Sequence, residues 1–136
     1  MKLSEATHFW VATIVTTTWF VATHATSRGE NAIGLASIAL FGLIACLTLW
    51  RTGNLWFAIG LHAAWDWSET YLYGVADSGH APAPGHLFTA RVPPGLPAWL
   101  TGGAAGPEGS ALCLELLVLL GLACARWLRP AARVQR

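Results

Sequence analysis

Two residues that could do chemistry, His62 and Asp66, stand four positions apart in an apolar and aromatic part of the chain. In a helix this spacing places both side chains on one face. Ionisable groups inside a membrane-spanning helix are costly to bury and are functional candidates by default. A histidine and a carboxylate in such surroundings can orient one another, hold a metal ion or stabilise a developing charge. The alternative interpretation is a structural pair that ties two helices together.

His24, at the end of the first apolar run, is a third candidate. A lone histidine near a helix end is more often an interface residue, so its value depends on whether it meets His62 and Asp66. Two histidines and one carboxylate are also a donor set of catalytic zinc sites. The spacing therefore leaves a metal ion open.

The other ionisable residues in the apolar runs are weaker candidates. Glu69 continues the helix face of the first pair, one turn nearer the following loop. Glu115 is interpreted as a snorkelling residue or as half of an inter-helix hydrogen bond. His80 and His86 fall in the loop and are predicted to be solvated.

Four apolar runs must position these residues, at 9–25, 32–50, 55–74 and 110–128. Each has about 17–20 residues, the length of a helix that crosses a bilayer core of about 30 Å. Composition agrees, because 54% of the 136 residues are hydrophobic, only 11% are charged, and the mean hydropathy is +0.49. We predict an all-α fold, a polytopic membrane helix bundle of about four transmembrane helices in a single membrane domain, 1–136.

The segment 75–109 has a different character, because it holds six of the seven prolines and seven of the fourteen glycines. No helix is expected at that density, so we predict one long Pro/Gly-rich extramembrane loop with a short β-like segment at 87–92. The other links are short, which predicts antiparallel neighbours. Gly53 is placed to end the second helix and Asn54 to cap the third.

Positive charge predicts the orientation of such a bundle. With four spans, Lys2, Arg51 and the C-terminal arginines share one side, and Arg28 and Arg91 lie on the other. The positive-inside rule then places both termini in the cytoplasm. The net charge of +1 disfavours a nucleic-acid partner. The three cysteines lie in apolar runs without a close pair and are interpreted as small buried residues.

Two short motifs carry a resemblance to a known family. His62 and Asp66 match a His-x-x-x-Asn/Asp motif, Phe20 and His24 match an upstream Phe-x-x-x-His motif, and the order of the two agrees. The block 49–67 closely resembles the last motif region of the CPBP family, the CAAX-protease and bacteriocin-processing (Abi) membrane proteins.

The resemblance implies a helical intramembrane endopeptidase of the bacterial plasma membrane, surrounded by lipid. Such an enzyme acts on membrane-presented peptides or on prenylated or leader-bearing proteins. By this resemblance His24 would help to activate water, and His62 and Asp66 would stabilise the oxyanion or act as ligands. The family has a metalloprotease and a glutamate-protease interpretation. A divalent metal such as zinc on His24, His62 and Asp66 and the absence of any metal are therefore equally open.

One family motif, Glu-Glu-x-x-x-Arg, is missing upstream of Phe20. The only acid before Phe20 is Glu5, which is followed by Ala6, and Phe9 stands at the arginine position. The chain therefore resembles the C-terminal half of the family, and a missing N-terminal half or a partner subunit would have to supply the glutamate. General-base activation is worth about 10²–10⁴ in rate, so we predict that the 136-residue chain alone has little or no protease activity.

Two further functions compete with the protease. A non-catalytic membrane scaffold or immunity protein that retains the family fold is favoured by the missing glutamate. A transporter or proton-relay fragment could use His24, His62 and Asp66 as its relay. Transport, however, predicts polar residues on more helices than the sequence offers.

Overall fold

The computed structural model describes residues 3–129, and within them the chain is helical, as predicted. Five α-helices follow one another, and a six-residue π-helix, Ser68–Tyr73, continues α3 without a break. The helices are α1 (Leu3–His24), α2 (Ala32–Thr52), α3 (Trp56–Trp67), α4 (Ala98–Thr101) and α5 (Ala111–Trp127).

Helix α2 is the centre of the bundle, because it packs against α1, α3 and α5. The side chain of Asn31, just before the helix, caps its first turn. Gly53, just after the helix, adopts the left-handed conformation at φ 74°. Asn54 then accepts the backbone N–H of Trp56 at the start of α3. These signals confirm the predicted end of α2 and the predicted cap of α3.

Hydroxyl side chains fill many of the contacts between helices, and Thr13, Thr17, Ser37 and Thr48 are all buried. A small apolar core lies beside them, where Ile44 of α2 packs with Cys113, Leu117 and Cys124 of α5. Many large apolar side chains nevertheless face outwards on α1, α3 and α5, among them Ile14, Trp19, Trp56, Leu119 and Leu122. Buried hydroxyl groups with exposed large apolar side chains are typical of helices that pack in lipid.

One helix among the described residues, Ala32–Thr52, is long and apolar enough to cross a membrane by length and composition. The other three predicted spans are not confirmed by that criterion. Helix α5 has 17 residues, and the α-helical part of the third run has 12. The first run is diluted by its threonines. The all-helical class is therefore confirmed, and the four-span arrangement stays a prediction.

The segment 75–109 differs from the predicted helix-free loop. It contains α4 and two 3₁₀ turns, Gly103–Ala105 and Pro107–Gly109. Pro97 and Pro107 both stand at the start of their turns, where the missing N–H of proline does no harm. The predicted β-like segment at 87–92 is wrong. Its backbone N–H groups at 87, 88 and 90 donate instead to the carbonyls of the π-helix at 71–73.

The same segment packs back against the connection between α1 and α2. A Cβ on Gly29 of that connection would collide with Ala104, and the side chain of Asn31 donates to the carbonyl of Gly109 at 3.2 Å. Gly106, at φ 97°, lies so close to the backbone of Ala76 that a side chain would collide with it. The loop therefore covers the end of the bundle where α1 and α3 finish and α2 and α5 begin.

Candidate active site

The covered end of the bundle contains a cavity of about 210 Å³. His24 reaches it from the end of α1, and His62 and Asp66 reach it from α3. The three residues singled out from the sequence thus come together on the wall of one cavity, although 42 positions separate His24 from Asp66. The antiparallel order of α1, α2 and α3 produces this result, because it returns the end of α3 to the end of α1.

His62 and Asp66 form the closest polar pair of this group. The Nε2 atom of His62 lies 3.6 Å from Oδ2 of Asp66, one helical turn away, and the two side chains are 45% and 44% exposed. This distance is longer than a hydrogen bond, so the pair is an ion pair only when the imidazole is protonated. Both side chains remain accessible to a ligand that enters the cavity.

The contact of His24 with Phe20 indicates which of its two ring nitrogens carries the proton in the neutral ring. Its Nδ1 atom lies 2.7 Å from the carbonyl oxygen of Phe20, one turn earlier. Because a carbonyl oxygen only accepts, Nδ1 must carry the proton, and the neutral ring then has its lone pair on Nε2. His24 therefore presents a ring nitrogen that can accept a proton from water or bind a metal ion.

Phe20 also sets the position of the two imidazoles. Its ring packs edge-on against His24 at 4.5 Å between centroids and against His62 at 5.9 Å. Phe41 of α2 also contacts His62, at 5.0 Å between centroids, and lies 6.4 Å from Phe20. Such edge contacts restrict the rotation of the rings. The phenylalanine of the Phe-x-x-x-His motif thus has a physical role as the spacer between the histidines.

The donor types of His24, His62 and Asp66 suit zinc, but the three donor atoms are not assembled into a closed set. Among the described residues, the three-member group whose ligand atoms all lie within 4.8 Å of one another consists of other side chains, discussed below. Zinc held by all three would require them to approach each other. A metal ion on these residues stays a prediction, and no chemical step is assigned to it.

The loop contributes cavity residues that the sequence patterns did not single out. Asp77, Ser78, His80 and Glu108 all line the same cavity. His80 is exposed, as predicted, yet it borders the site. The only sequence signal for these residues is the appearance of acids within a Pro/Gly-rich segment, and that signal is typical of any solvated loop.

Glu108 joins the loop to α3. Its Oε1 accepts the indole N–H of Trp65 at 3.1 Å, and its Oε2 accepts both the backbone N–H and the hydroxyl of Ser78, at 2.9 and 2.6 Å. Three donors on one carboxylate make a firm connection.

The two other acids of the apolar runs differ in exposure. Glu69, which the sequence predicted only as a helix-face residue, is 4% exposed, whereas Glu115 is exposed on α5.

These features define an all-helical protein with a lipid-type packing pattern and a cavity lined by two histidines and a carboxylate. The family model described as "Type II CAAX prenyl endopeptidase Rce1-like" matches residues 1–68, which is half of the chain. The match contains α1, α2, α3 and all of His24, His62 and Asp66. The chain therefore belongs to the type II CAAX prenyl endopeptidase, Rce1-like family, a family of membrane-embedded proteases. No match was found among curated proteins or among solved structures.

Proposed function

We propose that this protein is an intramembrane endopeptidase of the type II CAAX kind, or the C-terminal part of one. Its substrate would be a membrane-presented peptide on a prenylated or leader-bearing protein. The observation that carries the proposal is the meeting of His24 and His62 at one cavity, since each comes from a different motif and the family match contains both. The family resemblance favours a bacterial plasma membrane, and in a four-span arrangement the charge distribution favours both termini in the cytoplasm.

The proposed chemistry divides between the two histidines. Nε2 of His24, held as an acceptor by the bond from Nδ1 to Phe20, orients a water molecule whose oxygen attacks the peptide carbonyl, while the proton of that water passes to the glutamate of the first family motif and on to the leaving amine. His62, with Asp66 beside it, donates to the oxyanion that forms on the peptide carbonyl.

The glutamate of the first family motif, Glu-Glu-x-x-x-Arg, is not present upstream of Phe20 in this sequence. Glu108 lines the cavity, but it follows Asp66 in the chain and does not belong to a Glu-Glu-x-x-x-Arg motif upstream of Phe20, so we assign it no part in the reaction. We propose that a segment outside this chain or a partner subunit supplies the glutamate. On this proposal the 136-residue chain alone is slower than the completed enzyme by about 10²–10⁴.

The test combines an intact mass with a cleavage assay. The protein is purified from its own membranes in detergent, weighed, and incubated with a prenylated CAAX-type peptide. A species heavier than 14.5 kDa, or one with a second subunit, should cleave the peptide, and His62→Ala should slow it by about 10²–10³. Glu115→Gln is the matched control, because this exposed carboxylate lies on α5 outside the cavity.

Two outcomes would contradict the proposal. Cleavage that survives His62→Ala would remove His62 from the chemistry. Cleavage by the purified 136-residue chain alone, abolished by His62→Ala, would show that no outside glutamate is needed.

A non-catalytic membrane scaffold or immunity protein is the second candidate, and the absent Glu-Glu-x-x-x-Arg motif favours it. A photo-activatable prenylated peptide separates the two functions. If every native form of the protein is labelled in the cavity and none cleaves the peptide, the scaffold is supported and the protease is rejected.

A further inference from the structure

A cluster of three carboxylates lies beside the cavity. Glu69 belongs to the π-helix, Asp77 to the turn that follows it, and Glu108 to the 3₁₀ turn before α5. One oxygen from each side chain can be chosen so that all three lie within 4.8 Å of one another. Thirty-nine positions separate the first member from the last, so the folded loop, and not local sequence, brings them together.

Glu69 is the unusual member of the cluster. It is 4% exposed, and within the described part of the chain neither of its carboxylate oxygens has a hydrogen-bond partner. The nearby indole N–H of Trp65 is donated to Glu108 instead. A buried carboxylate without a partner is strongly unfavourable, so such a group either takes up a proton or faces a ligand or counter-charge.

The other two carboxylates are positioned by the protein and still have lone pairs free. Glu108 accepts one bond at Oε1, from Trp65, and two at Oε2, from Ser78. Asp77 accepts one bond at Oδ2, from Thr70, at 3.3 Å. A carboxylate offers about four lone-pair positions. Each of the three acids can therefore still donate a lone pair to an ion.

The chemistry of the ligands indicates the class of that ion. All three side chains offer carboxylate oxygens, which suit hard divalent cations such as calcium and magnesium, whereas zinc prefers nitrogen and sulfur ligands. We propose that Glu69, Asp77 and Glu108 bind a hard divalent cation, for which calcium is the probe. This site is separate from the metal site predicted on His24, His62 and Asp66.

A cation in this position would join three elements that otherwise repel one another. Asp77 and Glu108 also line the cavity, so the ion would hold the loop against the end of α3 and fix one wall of the candidate active site. The proposal does not depend on peptidase activity, because it is tested by binding alone.

The experiment uses the full chain in detergent, stripped with a chelator and then titrated with calcium chloride. Calorimetry gives the stoichiometry, and thermal unfolding gives the shift in melting temperature. We expect about one Ca²⁺ per chain and a melting temperature that rises with its concentration. Glu69→Gln and Asp77→Asn should each weaken binding by about tenfold or more, whereas Glu115→Gln should bind as the unaltered chain does.

Three results would overturn the proposal. The unaltered chain could show no saturable binding, an outcome that does not depend on any variant folding. Binding could be unchanged in Asp77→Asn, whose half-buried position makes it the milder substitution. Glu69→Gln could melt higher than the unaltered chain in chelator while calcium has no effect, which would show that Glu69 is held protonated and not by a cation.

Discussion

Replacing Asn31 by alanine is expected to loosen two parts of the molecule at once. Its Oδ1 accepts the backbone N–H groups of Ile33 and Gly34, at 2.9 and 3.1 Å, and so caps the first turn of α2. Its Nδ2 donates to the carbonyl of Gly109 at 3.2 Å and so holds the turn that carries Glu108. One side chain thus anchors the central helix and the loop that covers the site.

The size of the effect follows from these bonds. Loss of an N-cap costs about 1 kcal/mol, within a range of about 0.5–2. Loss of the bond to Gly109 adds about 0.5–1.5 kcal/mol, so Asn31→Ala should cost about 2 kcal/mol in total. Asn31→Asp keeps the capping oxygen, and its negative charge suits a helix N-terminus. It loses the bond to Gly109 and sets a carboxylate oxygen against that carbonyl, so it should cost about 1–1.5 kcal/mol, still less than Asn31→Ala.

The assay is reversible unfolding of the detergent-solubilised chain with SDS, followed by circular dichroism. Asn54→Ala is the matched control, because Asn54 is exposed and accepts a single bond, from Trp56 at 3.1 Å, with no tie to the loop. It should cost no more than about 0.5–1 kcal/mol. If Asn31→Asp costs as much as Asn31→Ala, the cap contributes nothing and the reasoning is refuted.

Three further predictions concern helix packing, the loop and the proposed role of His24. Gly42→Leu should destabilise the bundle by about 1–3 kcal/mol, because its Cβ would press on Thr17 of α1. Gly60→Ala should stabilise the bundle by about 0.5–1 kcal/mol in the same SDS assay, because its Cβ meets only open space. If Gly42→Leu and Gly60→Ala changed the free energy of unfolding equally, the close packing of Gly42 against α1 would be contradicted. Gly106→Ala should lower the melting temperature, because φ 97° favours glycine and the new Cβ would collide with the carbonyl oxygen of Ala76. An unchanged melting curve would contradict this prediction. His24→Asn keeps a donor for the Phe20 carbonyl but has no acceptor at the Nε2 position. In the completed enzyme, peptide cleavage should therefore fall by about 10²–10⁴ while the melting temperature stays unchanged. Full activity would exclude His24 from the activation of water.

Much of the helical framework could be predicted from the sequence, because helix formation in an apolar setting is decided locally. Backbone groups without water must bond within their own segment, so an apolar run between polar breaks becomes a helix. The end of α2 at Gly53 and the cap at Asn54 follow the same local logic. The pairing of His62 with Asp66 was equally accessible, since four positions in a helix fix the relative placement of two side chains.

The loop and its acids could be placed only by the tertiary structure. Asp77 and Glu108 lie in a segment with no hydrophobic period, and acids in such a segment are normally solvated. Their position depends on long-range bonds, such as those from Asn31 to Gly109 and from Trp65 to Glu108. A pattern of neighbouring residues carries no information about contacts of this kind.

The sequence by itself therefore determined that the chain is helical and that His24, His62 and Asp66 could do chemistry. Only the tertiary structure decided that the two histidines share a cavity, with Phe20 between them. It alone buried Glu69 among the acids of the loop. The physical reason is that backbone hydrogen bonding and helical period act within a few residues, whereas the free energy that closes a loop over a cavity comes from contacts between distant parts of the chain.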